Sequence, residues 1–134
     1  MQTILVCDDD KEIVEAIEIY LQQEGYHILK AYDGEEALEI LKENEVHLLI
    51  MDVMMPVMDG LEATKAIRML EREDAKKIPI IAMTANAFEE DRKACLEAGM
   101  NEHIGKPIDI PQLKRVITKL LTKRGSKRKN IIIH

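Results

Sequence analysis

The chain has 134 residues, 46% of them hydrophobic and 33% charged, which suits one globular domain with a closed core; it is too short for a multidomain enzyme and too rich in apolar side chains for a disordered tail. Aromatics make up only 3% with no Trp, so the core is expected to be aliphatic, built from Ile, Leu, Val, Ala and some of the eight Met. The net charge of −6 is unevenly placed: before residue 119 the chain carries 13 basic against 25 acidic groups, and from Lys119 onward six basic and no acidic ones, so the body repels phosphate and is not expected to bind nucleic acid directly.

In chain order, residues 3–7 (Thr-Ile-Leu-Val-Cys) read as a first strand, and Ile13, Ile17 and Leu21 recur at helical spacing up to a stop at Gly25. Residues 26–29 read as a second strand, followed by a turn at Asp33-Gly34 with an N-cap for a helix carrying Ala37, Leu38 and Leu41. Residues 47–51 and 78–83 read as the third and fourth strands, with a helix started at Asp59-Gly60 between them. A fourth helix stops at Gly99, a weaker fifth strand spans 102–105, and Asp109 caps a last helix with an apolar face of Leu113, Val116, Ile117, Leu120 and Leu121. The first, third and fourth strands are nearly continuous in apolar character, as strands covered on both faces of a parallel sheet must be. This (βα)5 rhythm predicts an α/β doubly wound parallel sheet with helices on both faces. Residues 1–122 form the domain, and residues 123–134 are expected as a basic, flexible tail.

Ligands of such sheets bind at the carboxyl ends of the strands. The first strand ends in Asp8-Asp9-Asp10 and the third in Asp52, so three or four carboxylates converge if those strands are neighbours. Such a cluster is costly unless a cation fills it, and hard oxygen donors favour Mg²⁺. The fourth strand delivers the hydroxyl of Thr84, and the fifth the ammonium of Lys106, followed by Pro107. Asp8, Asp9, Asp52, Lys106 and one divalent cation are together formally neutral. Such a site is equipped to receive a phosphoryl group, with Asp52 as the nucleophile and the cations and hydroxyl stabilising the equatorial oxygens.

The runs Val6-Cys7-Asp8-Asp9-Asp10, residues 49–60 (LIMDVMMPVMDG), residues 80–85 (IIAMTA) and Gly105-Lys106-Pro107 resemble the receiver domain of two-component response regulators, over about residues 3–121. The resemblance implies the flavodoxin-like strand order 2-1-3-4-5. It also implies that Asp52 is phosphorylated by a histidine kinase or phosphotransfer protein. Asp9, Asp52 and the backbone carbonyl of Met54 would hold Mg²⁺, with Asp8 assisting through water. Thr84 and Lys106 would contact the phosphoryl oxygens, and the Lys106-Pro107 bond is cis in that family. His103 stands at the family's aromatic switch position, a smaller and titratable ring. Residues Met54 and Asn86 sit where the family tunes access of water to the acyl phosphate. The expected output surface, a candidate homodimer contact, comprises the fourth helix, fifth strand and fifth helix.

The resemblance implies no enzyme beyond self-phosphorylation and autodephosphorylation. Two other functions remain open. An aspartyl-phosphate phosphatase shares Asp, Mg²⁺ and Lys, but usually has a second acid two residues after the nucleophile, where Met54 stands here. A phosphate-independent interaction module has no need of the complete acid, Thr and Lys set. Cys7 and Cys95 lie far apart without metal-ligand spacing and are read as reduced thiols. His27 and His47 read as packing or edge residues, and the methionines 51, 54, 55 and 58 as filler. No apolar stretch approaches the ~20 residues needed to span a bilayer and no leader pattern precedes the first strand, so no membrane association and a cytoplasmic location are expected.

Overall fold

The computed structural model describes residues 2–54, 58–85 and 89–133, with side chains at 89–91 and 123–133 excepted. The elements run β1 (Thr3–Cys7), α1 (Lys11–Gln23), β2 (His27–Ala31), α2 (Gly34–Glu43), β3 (Leu48–Asp52), α3 (Gly60–Arg68), α4 (Glu73–Lys77), β4 (Ile80–Thr84), α5 (Glu89–Ala98), β5 (Glu102–Gly105) and α6 (Ile110–Ile133). All strand pairs are parallel and the order is β2-β1-β3-β4-β5. The expected doubly wound, flavodoxin-like fold is the one observed.

Two apolar layers sandwich the sheet, because alternate residues of each buried strand face opposite sides. One face packs Leu5, Leu49, Met51, Ile80 and Ala82 against Ala37 and Leu41 of α2, Ala63 and Ile67 of α3, and Cys95 of α5. The other packs Ile4, Val6, Ile50, Ile81 and Met83 against Val14, Ile17 and Leu21 of α1 and Leu113, Ile117 and Leu121 of α6. Every residue of β3 and β4 is buried, so the continuous apolar runs are the signature of a central position.

Local chemistry sets the corners. Asp33 and Asp59 accept the backbone N–H of Glu36 and Glu62, both at 2.8 Å, and Asp109 that of Gln112 at 3.2 Å, so each is an N-cap. Gly25 and Gly99 end α1 and α5 with φ of +93° and +110°, conformations that L side chains adopt rarely. One helix was not expected: α4, five residues whose single buried contact is Ala75. The expected fourth and fifth helices are therefore α5 and α6. The backbone of α6 continues to Ile133, so the segment read as a flexible tail follows the last helix without a break. No helix among the described residues is long and apolar enough to cross a membrane.

Candidate functional site

The carboxyl ends of β1, β3, β4 and β5 bring the predicted residues together. Asp8 follows β1 directly. Its backbone N–H donates to Ala31 O at 3.2 Å, and its Oδ1 accepts the N–H of Asp10 at 2.9 Å, which fixes the carboxylate pointing inward. Asp52 is the last residue of β3, and its Oδ1 accepts the backbone N–H of Met54 at 3.3 Å. Both carboxylates are buried, whereas Asp9, the third acid of the cluster, is exposed. One oxygen each from Asp8, Asp9 and Asp52 lie within 4.8 Å of one another. Asp10 does not join them: its Oδ1 caps α1, accepting the N–H of Glu12 at 3.0 Å. The cluster thus holds three of the four candidate carboxylates.

Lys106 supplies the compensating charge. Its Nζ stands 2.9 Å from Asp8 Oδ2 and 3.3 Å from Asp52 Oδ1. Its backbone N–H donates to Thr84 O at 2.9 Å, which ties the residue after β5 to the end of β4. Thr84 is buried and in register with Gly105. The Lys106-Pro107 peptide is cis. His103 is half-buried, pairs with Ala82, and by strand alternation shares a sheet face with Thr84. Met54 is largely exposed at the rim, while Asn86 lies outside the described residues, as does Met55.

Burial raises the Asp52 carboxyl to about 6, and the nearby Asp8 adds to the rise; Lys106 and the Met54 N–H oppose it. For Lys106, burial alone favours the neutral amine, but the two carboxylates outweigh it and hold its pKa above the usual value. Among the described residues, Lys106 is the cation paired with the two buried acids of the cluster. Asp8 Oδ2 is buried and, apart from its ion pair, has no hydrogen-bond partner among the described residues. A buried oxygen with spare acceptor capacity, among three carboxylates, fits a hard divalent cation.

Three contributors escape sequence reasoning. Gly60 reads as a mere turn, yet a Cβ there would stand 2.2 Å from the carbonyl oxygen of Asp52, so glycine lets α3 start against the backbone of that residue. Gly34 is similar: its N–H donates to Met58 O at 3.2 Å, and a Cβ would meet that oxygen at 2.6 Å. The Asp-Gly pairs are the only signal for either. Cys7, the last residue of β1, donates its Sγ to Asp33 O at 3.3 Å, and burial followed by the charges of Asp33 and Asp8 pushes its thiol far up. The methionines divide by position: Met51 is core, Met58 packs against it and Met54 faces solvent. His47 is more than packing, since its Nδ1 accepts the N–H of Thr3 at 3.0 Å.

Residues 4–118 match the response regulator receiver domain. The chain is 36% identical over 121 residues to transcriptional regulatory protein CpxR of Escherichia coli, covering 90% of this chain and 50% of that protein. It is similar to the receiver domain of a Pseudomonas aeruginosa sensor histidine kinase solved with a magnesium ion coordinated in the active-site cleft, with a TM-score of 0.81, 36% identity, and coverage of 90% of this chain and 98% of that one. It is also similar to response regulator protein TrrA from Thermotoga maritima in complex with Mg²⁺-BeF, with a TM-score of 0.78, 35% identity, and coverage of 90% and 99%. The chain spans about half the length of the transcriptional regulators it matches.

Proposed function

The chain belongs to the response regulator receiver domain family of two-component systems, and on that premise we propose that it is a phosphoacceptor switch in which Asp52 takes a phosphoryl group from a histidine kinase or phosphotransfer protein. The observation that carries the reading is Lys106 Nζ, at 2.9 Å from Asp8 and 3.3 Å from Asp52. An Asp52 oxygen attacks phosphorus, the bond from phosphorus to the donor nitrogen breaks, and Lys106 and Thr84 receive the phosphoryl oxygens. Even with its carboxyl raised to about 6 in the metal-free site, Asp52 is mostly ionised at neutral pH, the form a nucleophile requires. Asp9, Asp52 and the Met54 carbonyl, with Asp8 assisting through water, would hold Mg²⁺, which when bound neutralises charge building on the transferring oxygens. The added negative charge draws Thr84 and Lys106 inward and biases the surface of α5, β5 and α6 through Thr84 and His103, the surface that would also serve a homodimer. In this reading the protein acts in the cytoplasm and turns over no other substrate.

Incubation with acetyl phosphate and Mg²⁺, followed by intact mass spectrometry, tests the assignment. The parent should gain one phosphoryl group and Asp52→Ala none. No gain in the parent, or an equal gain in both, would sink it. Sustained turnover of a phosphomonoester would point to a phosphatase, and partner binding indifferent to phosphorylation to a constitutive interaction module.

A further inference from the structure

The helix that begins against Asp52 ends in an arginine with an unusual set of partners. Arg68 closes α3, and its half-buried guanidinium donates to backbone carbonyls: Nε and Nη2 to Gly99 O at 3.1 and 2.7 Å, and Nη1 to Ala75 O at 3.1 Å. Nη2 also donates to Asn101 Oδ1 at 3.0 Å. Burial lowers its pKa, and no ion pair with a carboxylate is found for it among the described residues. Asn101 is locked in turn onto the start of β4, its Oδ1 accepting Ile80 N–H and its N–H donating to Ile80 O, both at 2.8 Å. A Cβ on Gly99 would stand 3.0 Å from Arg68 Cγ, so the corner between α5 and β5 is shaped around this side chain.

That corner feeds β5, a four-residue edge strand paired only with β4. A strand this short transmits a displacement at Asn101 to Lys106 with little to absorb it. Lys106 must hold Asp8 and Asp52 within hydrogen-bond reach, and a misplacement of about 1 Å in such a group can cost ~100-fold in rate. Meanwhile α3 is pinned at its other end by the close approach of Gly60 to Asp52 O. One nine-residue helix therefore touches the backbone of the acid at its start and the entry to the strand of the ammonium at its end.

We infer that Arg68 is a positioning residue for phosphoryl acceptance: by clamping Gly99 and Asn101 to α3, it sets where β5 carries Lys106 over Asp8 and Asp52. The inference rests on the reading of Asp52 as the acceptor. Its planar fork holds two elements at once, which a lysine ammonium cannot reproduce.

The test is a double-mutant cycle on the initial rate of Asp52 phosphorylation by saturating acetyl phosphate and Mg²⁺, using Arg68→Gln and Lys106→Met. Arg68→Gln should slow the maximal rate about tenfold, with Arg68→Lys restoring it only in part, and should add no further loss when Lys106 is already Met. Equal losses in both backgrounds, or an unchanged rate in folded Arg68→Gln, overturn it. Where Arg68→Gln fails to fold, Arg68→Lys runs the same cycle. Amide hydrogen exchange supplies a readout independent of phosphorylation. Protection at Glu102 to Lys106 should fall selectively in the Arg68 variants while β1 stays protected, and a uniform or absent change overturns the inference even if Asp52 proves not to be the acceptor.

Discussion

Lys106 and Arg68 mark opposite ends of β5, and their surroundings differ in kind. Lys106 is held by two ionisable carboxylates, so its energy depends on whether Asp52 carries a charge, a proton or a phosphoryl group. Arg68 is held by three bonds to carbonyl dipoles and one to an amide, none of which titrates. Both pay for burial, and they recover it differently. A cation among charges is a component that responds; a cation among dipoles is a fixture against which the response is made.

Removing the responsive cation should have the largest effect. Lys106→Met leaves two buried acids uncompensated and removes an oxyanion partner, so the initial rate of phosphorylation, followed by intact mass, should fall by about 10²-fold or more. Next in size is the effect of Asp52 itself on stability. Its folded pKa of about 6 lies above the ordinary 3.8, so the folded state holds the proton more tightly. The contribution of Asp52 to metal-free stability is therefore fully present below about pH 4 and is lost as pH rises through 6. Asp52→Asn should raise metal-free stability by roughly 1–3 kcal/mol at pH 7.5 and by little at pH 4, read from urea melts in chelator. The smallest expected change sharpens the contrast. The stability cost of Arg68→Gln should vary by less than about 0.5 kcal/mol between pH 5 and 8, because its partners have no proton to exchange. A strong pH dependence there would erase the distinction between the two cations.

The sequence announced the site better than its supports. Asp8, Asp9, Asp52, Thr84 and Lys106 follow strands whose apolar runs are readable, so their convergence needed only the strand order, which came from family resemblance. Boundaries shifted where apolar character and pairing disagree: β2 extends through exposed Lys30 to Ala31, and β4 begins at Ile80 because residues 78 and 79 precede the ladder. The helix α4 was invisible because five residues with one buried alanine and no side-chain cap carry no period. Asp10 looked like a fourth acid of the cluster and is spent on a helix cap, a choice between two short-range roles that composition does not settle. Arg68 was illegible for a deeper reason, since its acceptors are mainly carbonyls 7 and 31 residues away and every residue has one.

The placement of Cys7 equips the protein with a native chemical clock. Its thiol is fully covered at the tip of β1 and held far from ionisation by burial and by Asp33 and Asp8, so a disulfide reagent finds no thiolate while the sheet is intact. The second-order rate of Cys7 modification should then report how much of the time β1 is open, and phosphoryl loading next door at Asp8 and Asp52 should lower it.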